Sequence, residues 1–151
     1  MRPARPLLAI AALVAALAVV ACQSETRPVT VSDVRIGQPT GPNAALYLTA
    51  SAEGQADRLL GAETDVARVV EIHESTTGDD GTVSMWPVDD VEIPPEGSLL
   101  LEPGGFHLML VDVERLEVGD VVEVTLMWET AGEMTVDAQV VDPGDTMGHD
   151  G

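Results

Sequence analysis

The sequence contains no lysine and only seven arginines, against 26 aspartates and glutamates, which gives a formal net charge of −19. Proteins that bind DNA or RNA neutralise phosphates with lysine and arginine, so this shortage argues against a nucleic-acid partner. A strongly acidic surface attracts cations and basic protein patches. A high net charge can also serve only to keep a protein soluble. The composition does not decide between partner attraction and solubility as the reason for the charge.

Cysteine is nearly absent as well, because Cys22 is the only one, and an internal disulfide is therefore excluded. Arg2 and Arg5 precede an uncharged apolar run, residues 7–21, which is shorter than a typical transmembrane helix. This pattern predicts a secretory signal peptide. The run ends in Val-Val-Ala-Cys, which resembles the bacterial lipobox, in which the cysteine is lipidated. An ordinary signal peptide with a free Cys22 is the alternative.

These features predict an extracytoplasmic lipoprotein that a lipid on Cys22 holds to a membrane. Residues 1–21 would be the signal peptide and residues 22–28 a polar tether. Residues 29–141 are enough for one domain with a hydrophobic core. We expect residues 142–151, which are rich in Gly and Asp, to be a disordered tail.

The domain consists of short segments rich in Val, Leu, Ile and Thr, separated by clusters of Gly, Pro and Asp. Strands at this spacing, without a long helical period, predict an all-β sandwich or barrel. Apolar and polar residues alternate in 121–129 and 133–141, and Ala131-Gly132 can join them as a hairpin. The nine predicted strands lie near residues 29–36, 44–52, 57–62, 66–75, 81–86, 97–102, 106–113, 120–129 and 133–141.

Histidine is scarce, with three in the chain, and one of them shares a predicted strand face with a methionine. His107 and Met109 are two residues apart in strand 106–113, so their side chains point to the same side. Leu108 and Leu110 point to the other side, which we expect to be the core. A thioether is a soft, uncharged ligand that favours copper(I) over zinc or calcium. His107 and Met109 are therefore candidate copper ligands.

Two further candidate ligands lie upstream, on either side of the predicted turn at residues 78–81. A hairpin at this turn would bring His73 close to Met85. Two imidazoles and two thioethers suit a four-coordinate copper(I) centre, and the acidic neighbours Glu71 and Glu74 would offset part of its charge. Taken singly, each residue also has an ordinary explanation, as core filler or as a hydrogen-bonded surface histidine.

Residues 103–110, Pro-Gly-Gly-Phe-His-Leu-Met-Leu, resemble the signature of the periplasmic copper chaperones called PCuAC. The resemblance spans about residues 29–141. In the family's copper motif, 21 residues separate the second ligand from the third, as they separate Met85 from His107 here. Between His73 and Met85 there are 11 residues, one more than usual. The other similar segments are residues 43–49, 57–63, 70–74, 116–120, 124–128 and 131–133.

The resemblance implies a cupredoxin-like Greek-key fold and a copper(I) site formed by His73, Met85, His107 and Met109. It also implies delivery of copper to the copper centre of a cytochrome c oxidase subunit outside the membrane. We also expect the protein to be a monomer, and its acidic surface to meet a basic docking patch on the oxidase. Many relatives have a methionine soon after the first histidine, where this chain has Ser75.

The sequence favours a carrier over two other classes of protein. A blue-copper electron carrier needs a cysteine ligand inside the domain, and Cys22 lies outside it. No arrangement typical of an enzyme is apparent. The main alternative is a non-metal envelope module for adhesion or assembly, in which the His and Met residues are incidental. Met147 and His149 resemble the His- and Met-rich tails of some relatives, or belong to a spare disordered end.

Overall fold

The computed structural model describes residues 29–146, which form ten strands and one short 3₁₀ helix but no α-helix. The all-β prediction is confirmed, and each of the nine predicted strands is present. The additional strand has only three residues, between Asp90 and Pro94, too few to show an alternating pattern. The strands are β1 Val29–Gly37, β2 Ala44–Ala52, β3 Asp57–Glu63, β4 Ala67–Thr77, β5 Val83–Val88, β6 Val91–Ile93, β7 Ser98–Leu101, β8 Phe106–Val113, β9 Val121–Trp128 and β10 Gly132–Val141.

All ten strands belong to one mixed sheet in the order β5-β4-β8-β7-β2-β1-β10-β9-β3-β6. Most neighbours are antiparallel, but β1 pairs with β10 and β7 with β8 in parallel. The first half of β2 pairs with β8 and its second half with β7. The edge strand β6 approaches β2 and β7, so the sheet curls over a single core.

Apolar side chains on the inner face of the sheet form this core. In β9, Val122, Val124, Leu126 and Trp128 are buried, as their alternation predicts. Burial of a large apolar side chain stabilises a fold by about 1.5–3 kcal/mol relative to exposure, so such a continuous face fixes the strand register. The largest fully buried side chains are Ile36, Leu46, Leu48, Leu59, Ile93, Leu101, Leu108, Leu110 and Leu126.

A buried carboxylate closes the predicted β9–β10 hairpin. Asp57, at the start of β3, is only 3% exposed. Its Oδ1 accepts hydrogen bonds from the backbone N–H groups of Arg58 and Thr130, at 2.7 and 2.9 Å. Its Oδ2 accepts a third bond, from the N–H of Ala131, at 2.9 Å. The turn is thereby tied to β3, and Gly132 supplies the positive φ of 75° that the chain needs to leave it.

The end of the domain differs from the sequence prediction, which began a disordered tail at residue 142. In the structure, Pro143–Thr146 form a 3₁₀ helix, and Thr146 is buried. Arg35 of β1 donates a hydrogen bond from Nε to the carbonyl oxygen of Thr146, at 2.9 Å. The composition of this segment could not reveal that contact, because its partner lies 111 residues away.

Several predictions concern residues outside 29–146 and are untested by the structure. They are the signal peptide, Cys22, the tether, and Met147 and His149 in the tail. Among the described residues, no helix combines the length and hydrophobicity needed to cross a bilayer.

Candidate metal centre

Strands β4, β5 and β8 bring the predicted ligands to one face of the sheet. β4 lies between the other two, and His73 of β4 is paired directly with His107 of β8. Residues that pair directly across two strands point to the same side. On the opposite side, Ile72 and Leu108 are also paired, and both are buried in the core. The site therefore lies on the outer face of the sheet.

The two histidines form the centre of this arrangement. Their ring centroids are 5.7 Å apart, and the rings are nearly perpendicular, at 65°. His107 is 3% exposed, and the side chain of His73 is 14% exposed. The ring of Tyr47, on β2, lies 6.3 Å from that of His107 and is tilted by 50° to it.

Hydrogen bonds decide which nitrogen of each ring carries the hydrogen. Nδ1 of His107 lies 3.3 Å from the carbonyl oxygen of Gly105, which can only accept, so this Nδ1 is the donor. Nε2 of His73 lies 2.9 Å from Oε2 of Glu71, and an ionised carboxylate can also only accept. The lone pairs are then on Nε2 of His107 and on Nδ1 of His73. That Nδ1 is buried and has no hydrogen-bond partner.

Burial also keeps His107 in its uncharged form. Desolvation lowers the pKa of His107 below the usual 6.5, and the positive charge of a protonated His73 would lower the pKa further. The hydrogen bond to Gly105 acts in the opposite direction but is the weaker effect. A neutral imidazole is the form that binds metal ions, so this ring is prepared as a ligand near neutral pH.

The two methionines lie on the two strands that flank β4, Met109 on β8 beside Glu71 and Met85 on β5 beside Ser75. Met109 is half-buried on β8, where it pairs with Glu71 on one side and Ala45 on the other. Met85 lies on the edge strand β5, pairs with Ser75, and is 48% exposed. It is thus one diagonal step from His73, and such neighbours have Cβ atoms about 7–8 Å apart, within reach of long side chains.

We expected both acidic neighbours of His73 to lie near the ion, but they are on opposite faces of β4. Glu71 lies on the ligand face and contacts His73 directly. Glu74 is paired with Phe106 and Trp86 on the opposite face. Only Glu71 is therefore placed beside the candidate ligands.

Met127, on the polar side of β9, is not near the histidine pair in the strand order, because β9 lies between β10 and β3. It packs instead over Gly61, where an added Cβ would lie 3.0 Å from the methionine Cε. Tyr47 and Gly105 both contact His107, and neither was predicted to be part of the site. Both lie in segments that resemble the PCuAC family, and that was their only signal.

Comparison with known proteins identifies the family of the domain and a curated relative of part of it. The family model “Putative lipoprotein LpqE-like” matches residues 29–140. “Putative lipoprotein Lxx21020” of Leifsonia xyli subsp. xyli (strain CTCB07) is 29% identical over 85 residues, which are 56% of this chain. The match covers 51% of that protein, so the chain spans about half the length of this curated relative.

Solved structures share the fold. The copper-bound PCuAC domain from PmoF2 is 29% identical, with a TM-score of 0.65 over 77% of this chain and 94% of that domain. The apo PCuAC domain from PmoF1 is 28% identical, with a TM-score of 0.65 over 77% and 95% of the two chains. The solution structure of copper(I)-loaded DR1885 from Deinococcus radiodurans is 29% identical, with a TM-score of 0.59 over 76% of each chain. The cupredoxin-like fold is thereby confirmed.

Proposed function

Because the chain belongs to the LpqE-like lipoprotein family and has the PCuAC-type fold, we propose that it is an extracytoplasmic copper(I) chaperone. One observation carries the proposal: two directly paired imidazoles, one buried and one largely buried, present free lone pairs on a face that also holds two methionines. The ligands would be His73, Met85, His107 and Met109. The proposed activity is binding and transfer of an ion, without a catalytic step.

The chemistry of these side chains supports copper(I) as the cargo. Imidazole nitrogen suits several transition metals, whereas thioether sulfur selects soft ions, and calcium and magnesium prefer oxygen ligands. Four neutral donors leave the positive charge of the ion uncompensated inside the site. The carboxylate of Glu71, held 2.9 Å from His73, offsets part of this charge.

Release of the ion requires an approach route for the acceptor, and the exposure of the ligands provides one. His107 is buried, whereas Met85 is about half exposed on an edge strand. A soft ligand of the acceptor can therefore replace Met85 first while the histidines still hold the ion. The acidic surface would meet basic residues around the acceptor site and speed the encounter.

The acceptor and the anchor complete the proposal. The family resemblance favours a cytochrome c oxidase subunit as the acceptor, at its copper centre outside the membrane. A lipid on Cys22 would keep the monomeric domain at the membrane surface where this acceptor lies. The short span between residue 22 and β1, which begins at Val29, would hold the domain close to that surface.

Titration of the purified domain with copper(I) in the absence of oxygen, against a competing chelator, tests the proposal. We expect one tightly bound ion per wild-type chain. Loss of a residue that only orients a metal ligand costs about 10- to 100-fold in affinity, and loss of a ligand itself should cost no less. The double variant His107→Ala, Met109→Ala removes two ligands, so we expect its copper(I) affinity to fall at least about 100-fold.

The matched control is Met127→Ala, which removes a half-buried methionine that packs over Gly61. This variant should bind copper(I) like wild type, and thermal unfolding should show that all variants are folded. A folded double variant that titrates like wild type would contradict the assigned ligands. Failure of the wild-type chain to bind copper(I) would leave the non-metal envelope module as the better account.

A further inference from the structure

We propose that the two histidines bind copper(I) through different nitrogens, Nδ1 of His73 and Nε2 of His107, and that Glu71 is the positioning residue that determines this for His73. The inference rests on the proposed function and deepens it, because it names the ligand atoms and a residue outside the ligand set that orients one of them. The juxtaposition of Glu71, His73 and His107 on paired strands carries it.

Glu71 is two residues before His73 on β4, so the two side chains lie on the same face. The distance of 2.9 Å between Oε2 and Nε2 is that of a good hydrogen bond. Since a carboxylate has no hydrogen to donate, this contact holds the hydrogen of the neutral ring on Nε2. It also fixes the rotation of the ring about its bond to Cβ.

The other nitrogen of His73, Nδ1, makes no hydrogen bond in the copper-free protein. Nδ1 is buried, accepts no hydrogen bond, and belongs to a ring that meets the ring of His107 edge-on at 5.7 Å. A buried polar atom without a partner destabilises the fold, and native structures contain few of them. A metal ion bound between the two rings would satisfy this atom.

His107 has the opposite arrangement, because the carbonyl oxygen of Gly105 binds its Nδ1 and leaves Nε2 for the ion. Each ring therefore has one nitrogen held by the protein and one available to the metal. A carboxylate that holds the second nitrogen of a metal-binding histidine fixes the tautomer and makes the ligand more basic, and its loss costs about 10- to 100-fold in metal affinity.

Nuclear magnetic resonance of the ¹⁵N-labelled domain tests the tautomers directly. Long-range ¹⁵N–¹H correlation spectra at about pH 8, more than one unit above the reference pKa of histidine, distinguish the nitrogen that carries hydrogen from the one that does not. In the copper-free domain we expect hydrogen on Nε2 of His73 and on Nδ1 of His107. Addition of copper(I) should shift the signals of Nδ1 of His73 and Nε2 of His107.

Three variants separate the role of the hydrogen bond from that of the charge. Glu71→Ala should lose the tautomer preference of His73 and about 10- to 100-fold in copper(I) affinity. Glu71→Gln keeps an oxygen that can accept from Nε2, so it should keep the tautomer and lose less affinity. Glu74→Ala removes the same charge from the opposite face of β4 and should change neither.

The outcomes distinguish this inference from the proposed function. Copper(I) binding with a shift at Nε2 of His73, or a Glu71→Ala domain with unchanged tautomer and affinity, would overturn the inference and leave the chaperone proposal intact. A Glu71→Gln domain that behaves like Glu71→Ala would show that Glu71 acts by charge, which also overturns it. If wild type binds no copper(I), both proposals fail.

Discussion

Asp57 is a buried side chain and His73 a largely buried one, and their hydrogen bonding differs. Each lies on a strand next to an edge of the sheet, Asp57 on β3 beside β6 and His73 on β4 beside β5. Both oxygens of Asp57 accept backbone hydrogen bonds, three in total. His73 has one nitrogen bound to Glu71 and one nitrogen without any partner.

The difference in hydrogen bonding indicates that Asp57 stabilises the fold and that His73 is available to bind an ion. Asp57 is fully satisfied by the chain, and its bonds join β3 to the β9–β10 turn, so it is a structural group. His73 retains an unused lone pair in a buried position, at a cost in stability. Of these two residues, the one with an unsatisfied hydrogen-bonding atom, His73, therefore belongs to the candidate binding site.

The largest expected change in stability comes from Asp57→Ala. Three backbone N–H groups lose their acceptor, and we expect a loss of about 2–3 kcal/mol in the free energy of unfolding. Urea denaturation of the copper-free domain measures this loss. Copper(I) affinity should stay within about twofold of wild type, since distant sites act independently.

Asp57→Asn sharpens the same test, because its single amide oxygen can replace only Oδ1 of the aspartate. An intermediate loss of stability is expected for it. If copper(I) affinity fell together with stability in either variant, Asp57 would be coupled to the metal site, and the division between the two regions would be wrong.

A smaller effect is expected from Met85→Leu, a change that conserves volume and removes one thioether at an exposed position. We expect copper(I) affinity to fall about tenfold, which is the lower end of the 10- to 100-fold range for altered metal sites. The free energy of unfolding should change little. Met127→Leu is the matched control on β9 and should bind like wild type. An unchanged affinity in Met85→Leu would remove Met85 from the ligand set.

The smallest effect concerns acid stability. Burial lowers the pKa of His107 in the folded chain below the usual 6.5, so the unfolded chain takes up a proton more readily. The stability that depends on the neutral ring is complete above about pH 6.5 and is lost as the pH falls through the lowered pKa.

Urea denaturation of the copper-free domain between about pH 7 and pH 5.5 measures this loss. His107→Gln lacks the titrating ring and should show a smaller decrease over the same range. Equal slopes for the variant and wild type would contradict the lowered pKa.

The sequence was sufficient for most of the fold, because alternation of apolar residues and turn residues are local signals. β9 and β10 are the clearest example: their alternation and Gly132 predict both strands and the hairpin. β6 is too short to alternate, and the order at Pro143–Thr146 depends on the distant Arg35. Neither feature has a local signal.

The candidate site was predictable in part for the same reason. The spacing of two residues placed His107 and Met109 on one face, and the turn at 78–81 brought Met85 towards His73. The direct pairing of His73 with His107 depends on the register between β4 and β8, and 28 residues, 78–105, separate these strands in the chain. The opposite tautomers depend on contacts with Glu71 and Gly105, which a pattern of residue types does not contain.

X-ray absorption spectroscopy of the copper(I)-loaded domain tests the central claim most directly, because it reports the elements bound to the ion. The account predicts a mixed first shell with two nitrogen and two sulfur neighbours. Loss of one sulfur in Met85→Leu, and of one nitrogen and one sulfur in the His107→Ala, Met109→Ala variant, would agree with the assigned residues. A shell of nitrogen and oxygen alone in the wild-type domain would contradict the account.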